Sequence, residues 1–176
     1  MKKIGLITVM AALCFLLAAC GNGQNPPSSG EEDSIPPVQE QTGQPGAAQT
    51  GESAADLGDY HVELKDAQLV QDSRGGDALV VTFDWTNNSD SSTISLASVS
   101  CTAQQDGEEL DIAMIGDDAV CDSTSTLTEA QIGETVSVQY AFSLNDTVAP
   151  VTVEIKEVLT GDDAPTLSAE IDPAAL

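Results

Sequence analysis

One stretch of the sequence decides the fold: Asp77-Ala78-Leu79-Val80-Val81-Thr82-Phe83-Asp84-Trp85-Thr86-Asn87-Asn88. Large apolar side chains stand at every second position from Leu79 to Trp85, which is the period of a strand with one buried face. The stretch also holds the only tryptophan of a chain in which aromatic residues make up 3%. Because no other segment offers as much large apolar surface for a core, we expect this strand to lie at the centre of a β-sheet.

Further strands are expected before and after this one. Residues 60–70 alternate with a break near Asp66, and the turn residues 72–77 should join them to the central strand as a hairpin. Residues 136–144 show the cleanest alternation and should pair with or face the Trp85 strand. Additional strands are predicted over residues 93–105, which should contain a bulge, 109–115, 126–128, 151–155 and 166–171, the last as a closing edge strand. Such spacing without a helical period predicts an all-β sandwich of about seven to eight strands.

The N-terminus has the pattern of an export signal. Lys2-Lys3 precedes an apolar run over residues 4–19, which is short for a transmembrane helix of about 20 residues. The run ends in Leu17-Ala18-Ala19-Cys20, which resembles the bacterial lipoprotein signal. That resemblance implies cleavage before Cys20 and fatty acyl chains on its thiol, which would hold the protein at the outer face of the cell membrane. An ordinary secretory signal is the alternative.

The composition changes after the predicted signal peptide at residues 1–19. Residues 20–57 are rich in Gly, Pro, Ser, Gln and acidic residues and contain few large apolar side chains. Such a segment cannot bury enough surface to offset the entropy lost on ordering. We therefore predict a disordered linker over residues 20–57 and a folded domain over residues 58–176.

Charge excludes one class of partner. Acidic residues outnumber basic ones by 29 to 5, and the formal net charge is −24. Because binding to DNA or RNA relies on Lys and Arg to neutralise phosphates, nucleic acid is excluded as a partner. The charge favours solubility and an attraction for cations or for a basic partner.

Two cysteines remain once Cys14 and Cys20 are assigned to the signal. An even pair in an exported domain predicts a disulfide between Cys101 and Cys121. The bond would close a loop of about 20 residues and stabilise the fold by roughly 3 kcal/mol. Two buried thiols are the alternative.

The sequence carries no signature of catalysis. It has one histidine, His61, and lacks a nucleophile elbow, a zinc-protease helix and a phosphate-binding loop. We therefore predict that the protein is not an enzyme and needs no cofactor. Clustered carboxylates could instead bind calcium, although solvated charge explains them better because they lack an EF-hand spacing. The weak candidates for metal ligands are Asp106, Glu108, Asp117, Asp118 and Asp122.

Several segments together carry a family resemblance: Tyr60-x-Val62-Glu63-Leu64, Ala78-Leu79-Val80-Val81-Thr82-Phe83-x-Trp85-Thr86-Asn87-Asn88-Ser89, Gln105-Asp106-Gly107-x-Glu109-Leu110, Gly133-Glu134-Thr135-Val136 and Tyr140-Ala141-Phe142-x-Leu144. They resemble the immunoglobulin-like domains of unknown function found in lipoproteins of Gram-positive bacteria, over nearly all of residues 58–176. The resemblance implies an immunoglobulin-like sandwich at the cell surface and no activity.

These observations predict a noncatalytic, lipid-anchored extracytoplasmic protein. Its partners would be the membrane, through the anchor, and a protein or glycan ligand at the cell surface, or the domain would simply occupy the envelope. A calcium- or solute-binding accessory lipoprotein of a transporter or sensor system is the alternative.

Overall fold

The computed structural model describes residues 49–161 and 163–176. The predicted signal peptide, Cys20 and the linker up to residue 48 lie outside the described residues. The elements of the described part are β1 (Gln49–Gly51), β2 (Ala54–Leu57), β3 (Tyr60–Gln71), β4 (Asp77–Asn87), β5 (Thr93–Ile94), α1 (Ser95–Ser98), β6 (Val99–Gln105), β7 (Glu108–Glu109), a 3₁₀ turn (Ser125–Leu127), β8 (Glu129–Ala130), β9 (Thr135–Ser143), β10 (Val151–Glu157), β11 (Thr166–Ile171) and a second 3₁₀ turn (Pro173–Ala175). None of these helical segments is long and apolar enough to cross a membrane.

The strands form two main antiparallel sheets that enclose one core. The first sheet has the order β1-β11-β10-β6-β7 and the second has the order β2-β3-β4-β9, while β5 and β8 form a separate short ladder. Both sheets contribute side chains to a shared apolar cluster, in which Trp85, Phe83 and Phe142 are the largest fully buried residues. The predicted all-β sandwich is therefore confirmed.

The Trp85 strand is central, as its sequence indicates. β4 lies between β3 and β9 and pairs with both of them. The predicted hairpin from β3 to β4 is present, and its register shifts between Leu64 and Asp66, where the alternation of the sequence breaks. The predicted pairing of the segment after residue 135 with the Trp85 strand is also confirmed.

The predicted strand over residues 93–105 is interrupted by the single helical turn α1. Two buried serines explain the interruption, because they bind backbone carbonyls of neighbouring turns. Ser98 Oγ donates to the Ile94 carbonyl at 2.9 Å, and Ser95 Oγ donates to the Thr126 carbonyl at 3.2 Å. Such local bonds compete with a strand ladder, so the predicted bulge is in fact a turn of helix.

The predicted strands over residues 109–115 and 126–128 are wrong. Beyond β7, residues 109–115 make only one isolated bridge, between Ile112 and Phe142. Residues 125–127 form the first 3₁₀ turn. Leu110, Ile112 and Met114 alternate like a strand, but only Leu110 is buried. Periodicity alone did not distinguish a buried face from an exposed one.

The fold begins earlier in the chain than the predicted boundary at residue 58. β1 pairs with β11 and β2 pairs with β3, and the Leu57 side chain is fully buried. The predicted edge strand, β11, consequently lies between β1 and β10. A sheet edge offers unpaired backbone groups to any chain, so a short strand can form there with little apolar sequence.

A buried amide side chain holds the loop between β9 and β10. Gln105 is fully buried, and its Nε2 donates to the carbonyls of Asp146 at 3.0 Å and Ala149 at 2.8 Å. Its Oε1 accepts from the Asn145 backbone N–H at 2.9 Å. Gln105 therefore satisfies loop groups that β-strand pairing leaves free.

Candidate functional site: an apolar groove beside strand β9

A second apolar cluster lies on the outer face of β4 and β9. Val80 and Ala141 belong to it, together with Ala113 and Cys121 from the connection that follows β7. Successive side chains of a strand point to opposite faces, and Leu79 and Val81 belong to the main core. One sheet therefore buries apolar side chains on both of its faces at this place.

Backbone hydrogen bonds hold the covering segment, residues 110–123, in position. The Ala113 N–H donates to the Ala141 carbonyl and the Ser143 N–H donates to the Asp111 carbonyl, each at 2.8 Å. The Ser73 N–H donates to the Met114 carbonyl at 2.8 Å, which ties the segment to the hairpin turn between β3 and β4. The segment thus runs along the edge of β9 without forming a regular strand.

A groove of about 340 Å³ opens between this segment, α1 and β9. That volume lies within the range of small-molecule sites. Its outer apolar side chains are open to solvent: Leu96 is 52%, Ile112 61% and Met114 69% exposed. Exposed apolar side chains that cluster at a groove are typical of interaction surfaces. The groove is lined by Leu96, Ile112, Ala113, Met114, Ile115, Cys121, Ser123, Thr126, Gln139, Tyr140 and Ala141.

Gln139 builds the wall of the groove. Its Nε2 donates to Thr82 Oγ1 at 3.1 Å, and its Oε1 accepts from the Asp122 backbone N–H at 2.7 Å. Its own backbone N–H donates to Ser125 Oγ at 2.9 Å. With these partners in place, Gln139 positions the loop and has little capacity left for a ligand.

Tyr140 lies between Gln139 and Ala141 on β9, and its half-buried ring points away from the groove, to the face of the sheet that packs in the main core. The ring stacks between Phe83 and Phe142, at centroid distances of 6.0 and 6.3 Å. Burial, followed by the nearby Cys101 thiol, raises the pKa of Tyr140 to about 12. The hydroxyl is consequently neutral at physiological pH, and the ring contributes to the core beneath the groove.

A second, more open depression of about 940 Å³ adjoins the groove, and Ile112 and Met114 line both. Asp72, Arg74 and Asp111 line this second depression. Asp72 Oδ1 accepts from the backbone N–H groups of Arg74 and Gly76, each at 2.8 Å, and these bonds lower the pKa of Asp72. The carboxylate is therefore ionised at neutral pH.

The predicted disulfide is wrong: Cys101 and Cys121 are both free and buried. Cys101 belongs to the core between the sheets, whereas Cys121 belongs to the cluster on the outer face of β4 and β9. Because the second sheet lies between these clusters, the two sulfur atoms cannot reach bonding distance. Burial, followed by the charges of Asp122 and Asp118, raises the pKa of the Cys121 thiol. Cys121 is therefore protonated and a weak nucleophile.

The weak metal candidates do not form a site. Within residues 49–161 and 163–176, no group of three or more His, Cys, Asp and Glu side chains could hold a metal ion. Two of the candidates stabilise turns of their own loop instead. Asp117 Oδ1 accepts from the Ala119 N–H at 2.9 Å, and Asp122 Oδ1 accepts from the N–H and hydroxyl of Thr124 at 2.9 and 2.6 Å. Asp106 and Glu108 lie at the turn from β6 to β7.

His61 lies away from the groove, on β3. Its Nδ1 is 2.7 Å from Asp56 Oδ1 on the neighbouring strand β2.

Sequence reasoning missed the groove because it assigned Ile112 and Met114 to a strand face. The signal that could have revealed it is Ala113, a small residue between two large apolar ones that allows close approach to β9.

Residues 36–157 match the family model described as a domain of unknown function, DUF5067. The chain belongs to this family. No curated protein sequence matches it. The DUF5067 chain is similar in fold to a candidate lipoprotein from Staphylococcus aureus subsp. aureus NCTC 8325, with 10% identity, a TM-score of 0.53, and coverage of 73% of this chain and 94% of that one.

A protein from Enterococcus faecalis, whose structure was determined by NMR, has a similar fold. It shares 23% identity with the DUF5067 chain and has a TM-score of 0.53, with coverage of 72% of this chain and 94% of that one. At these identities the similarity concerns the fold alone. Both comparisons agree with the β-sandwich described above.

Proposed function

We propose that this protein is a noncatalytic lipoprotein, held at the outer face of the cell membrane by acyl chains on Cys20, whose β-sandwich binds a ligand in the groove beside β9. The groove carries the proposal, because a stable domain has no structural need to expose Ile112 and Met114 together at the mouth of a cavity. The likeness in fold to a candidate lipoprotein supports the extracytoplasmic location.

The chemistry of the groove supports binding over catalysis. Among the residues that the structure describes, the lining contains no His, Asp, Glu or Lys, and thus no group suited to act as a general base near neutral pH. Its thiol, Cys121, has a raised pKa. Turnover of any substrate by the purified protein would contradict the noncatalytic assignment.

The groove also favours a solute with apolar surface over a glycan. Seven of its lining residues carry apolar side chains or a thiol, and its most exposed ones are Ile112 and Met114. Burial of apolar ligand surface is the driving force that such a site can supply. This agrees with the alternative of a solute-binding accessory lipoprotein, without its calcium.

The lipid anchor is tested by the Cys20→Ser variant in a Gram-positive host. Without a thiol to alkylate, the variant should lack the lipid label and should leave the membrane fraction or keep its uncleaved signal. Cys14→Ser, six residues earlier in the apolar run, is the matched control and should be lipidated normally. Labelling of the Cys20→Ser variant at the level of the control would refute the anchor.

A further inference from the structure

We propose that the groove and the adjoining depression form one bipartite site for a cationic amphiphile, with the apolar part in the groove and the positive head beside Asp111. This inference rests on the proposed binding function and adds the chemical class of the ligand. The observation behind it is that Ile112 and Met114 line both cavities, so that an apolar wall and a carboxylate belong to one continuous surface.

The apolar half of the site is small and already shaped. The hydrogen bonds from Ala113 to Ala141 and from Ser143 to Asp111 fix the segment that forms its outer wall. Gln139 and Ser125 fix its inner wall. The surface is therefore largely formed before a ligand binds, and little binding free energy would be spent on ordering the protein.

Charge selects the head group. Asp111 is exposed, and within residues 49–161 and 163–176 its carboxylate forms no hydrogen bond or ion pair with the protein. Asp72 and Arg74 line the same depression with opposite charges, which leaves Asp111 as the excess negative charge. The chain as a whole carries −24, so a cation is attracted from a distance and an anion is repelled.

The same features disfavour two other occupants. A second copy of this chain would bring another strongly acidic surface against the first. A partner strand could not add to β9 along the groove, because Ala141 and Ser143 already bond to residues 111–113 and the Gln139 N–H already bonds to Ser125. A small amphiphile that uses side-chain contacts alone needs neither arrangement.

The experiment compares three short ligands of equal chain length on the purified full chain: hexylammonium, hexanol and hexanoate. The reporter is the methyl signal of Met114 in a carbon–proton NMR spectrum of protein labelled at methionine, assigned by its loss in Met114→Leu. The chain has only three methionines, and the other two are Met1 and Met10. Ligands of this size should bind at about millimolar concentration.

The expected result is a rank order, with hexylammonium tightest and hexanoate weakest. Asp111→Asn should weaken hexylammonium about two- to fivefold, the range of an exposed ion pair, and leave hexanol unchanged. Asp59→Asn, the same charge change in the turn between β2 and β3, should have no effect. Ser123→Phe, which places a ring at the groove, should weaken both ligands, whereas Thr128→Phe outside the groove should not.

Each contrary result has a distinct meaning. Equal binding of the three ligands, or equal effects of Asp111→Asn and Asp59→Asn, would overturn the cationic class while leaving a binding groove. If no ligand moves the Met114 signal, both this inference and the proposed binding function fail. A shift of that signal with protein concentration alone would identify a second copy as the occupant and overturn the inference.

Discussion

Cys101 and Cys121 face opposite sides of the same β-sheet. Cys101 packs between the two sheets with Ile155 and Ala103, and Cys121 packs on the outer face of the second sheet against Val80 and Ala141. The outer face is covered because residues 110–123 are tied to the edge of β9. The same sheet thus supports the main core on one face and the groove on the other, because β4 contributes side chains to the clusters on both faces.

The separation of the cysteines predicts their reactivity. In folded protein, iodoacetamide should modify neither Cys101 nor Cys121, because both side chains are buried and protonated. After unfolding in guanidinium without a reductant, both should be modified, as read by peptide mass spectrometry. Modification that requires a reductant would show a disulfide and contradict the structure.

The stability of the domain should fall at alkaline pH. Burial raises the pKa of the Cys101 thiol far above its usual value of 9.0, and burial and the Cys101 thiol raise that of Tyr140 from 10.0 to about 12. The folded state therefore holds these protons more tightly, and the unfolded chain releases them first as the pH rises. The stabilisation is complete below pH 9 and is lost progressively from there upward.

Urea unfolding between pH 8 and pH 10.5 would measure this loss, in a range set by the thiol and phenol groups. Cys101→Ala should make the decline with pH shallower, whatever its effect on stability at neutral pH. Ser100→Ala, one residue earlier on β6, should leave the slope unchanged. An identical slope in Cys101→Ala and the parent protein would show that Cys101 does not contribute.

Gln105 should contribute more to stability than its polar character suggests. Replacing it with Ala leaves the carbonyls of Asp146 and Ala149 and the Asn145 N–H without partners, which should cost about 2–4 kcal/mol of unfolding free energy. Gln104→Ala is the matched control, since this neighbouring side chain is exposed, and it should cost less than about 0.5 kcal/mol. Equal effects of the two substitutions would show that the Gln105 side chain does not hold the loop between β9 and β10.

The longest apolar alternations were sufficient to predict the centre of the fold. Leu79, Phe83 and Trp85 on one phase require a buried face, and only a sheet satisfies that spacing. The hydrogen bonds of Gln105 to the loop between β9 and β10 could not be predicted, and neither could the turn α1. Both depend on which distant backbone groups lack partners. Gln104 and Gln105 are identical residues side by side, and only the assembled sheet distinguishes them.

The groove was beyond sequence reasoning for a related reason. Leu110, Ile112 and Met114 have the period of a strand, but a strand needs a partner along its whole length. Within residues 110–114, the backbone of β9 pairs only with residues 111–113. The cysteine prediction failed because an even count in an exported domain states nothing about which face each side chain occupies.

Strand β1 belongs to the fold, and Gly51 tests this. Gly51 has φ +109°, and a Cβ there would lie 2.9 Å from the Ser168 carbonyl oxygen on β11. Gly51→Ala should therefore strain the backbone, push β1 from β11, and increase hydrogen exchange at Gln49 and Gly51. Gly75 also has a positive φ, but a Cβ there would meet no atom within 4 Å. Gly75→Ala should therefore cost only about 1 kcal/mol of backbone strain. Unchanged exchange in Gly51→Ala would remove β1 from the sheet.

The pairing of β1 has a mechanical consequence. A pulling force that reaches the domain through residue 48 acts first on the three residue pairs between Gln49–Gly51 and Ala169–Ile171. These pairs would separate sequentially. The released residues would lengthen the chain before β2 and the buried Leu57 bear any load. β1 would thus detach reversibly under load, since it can pair with β11 again once the force is removed.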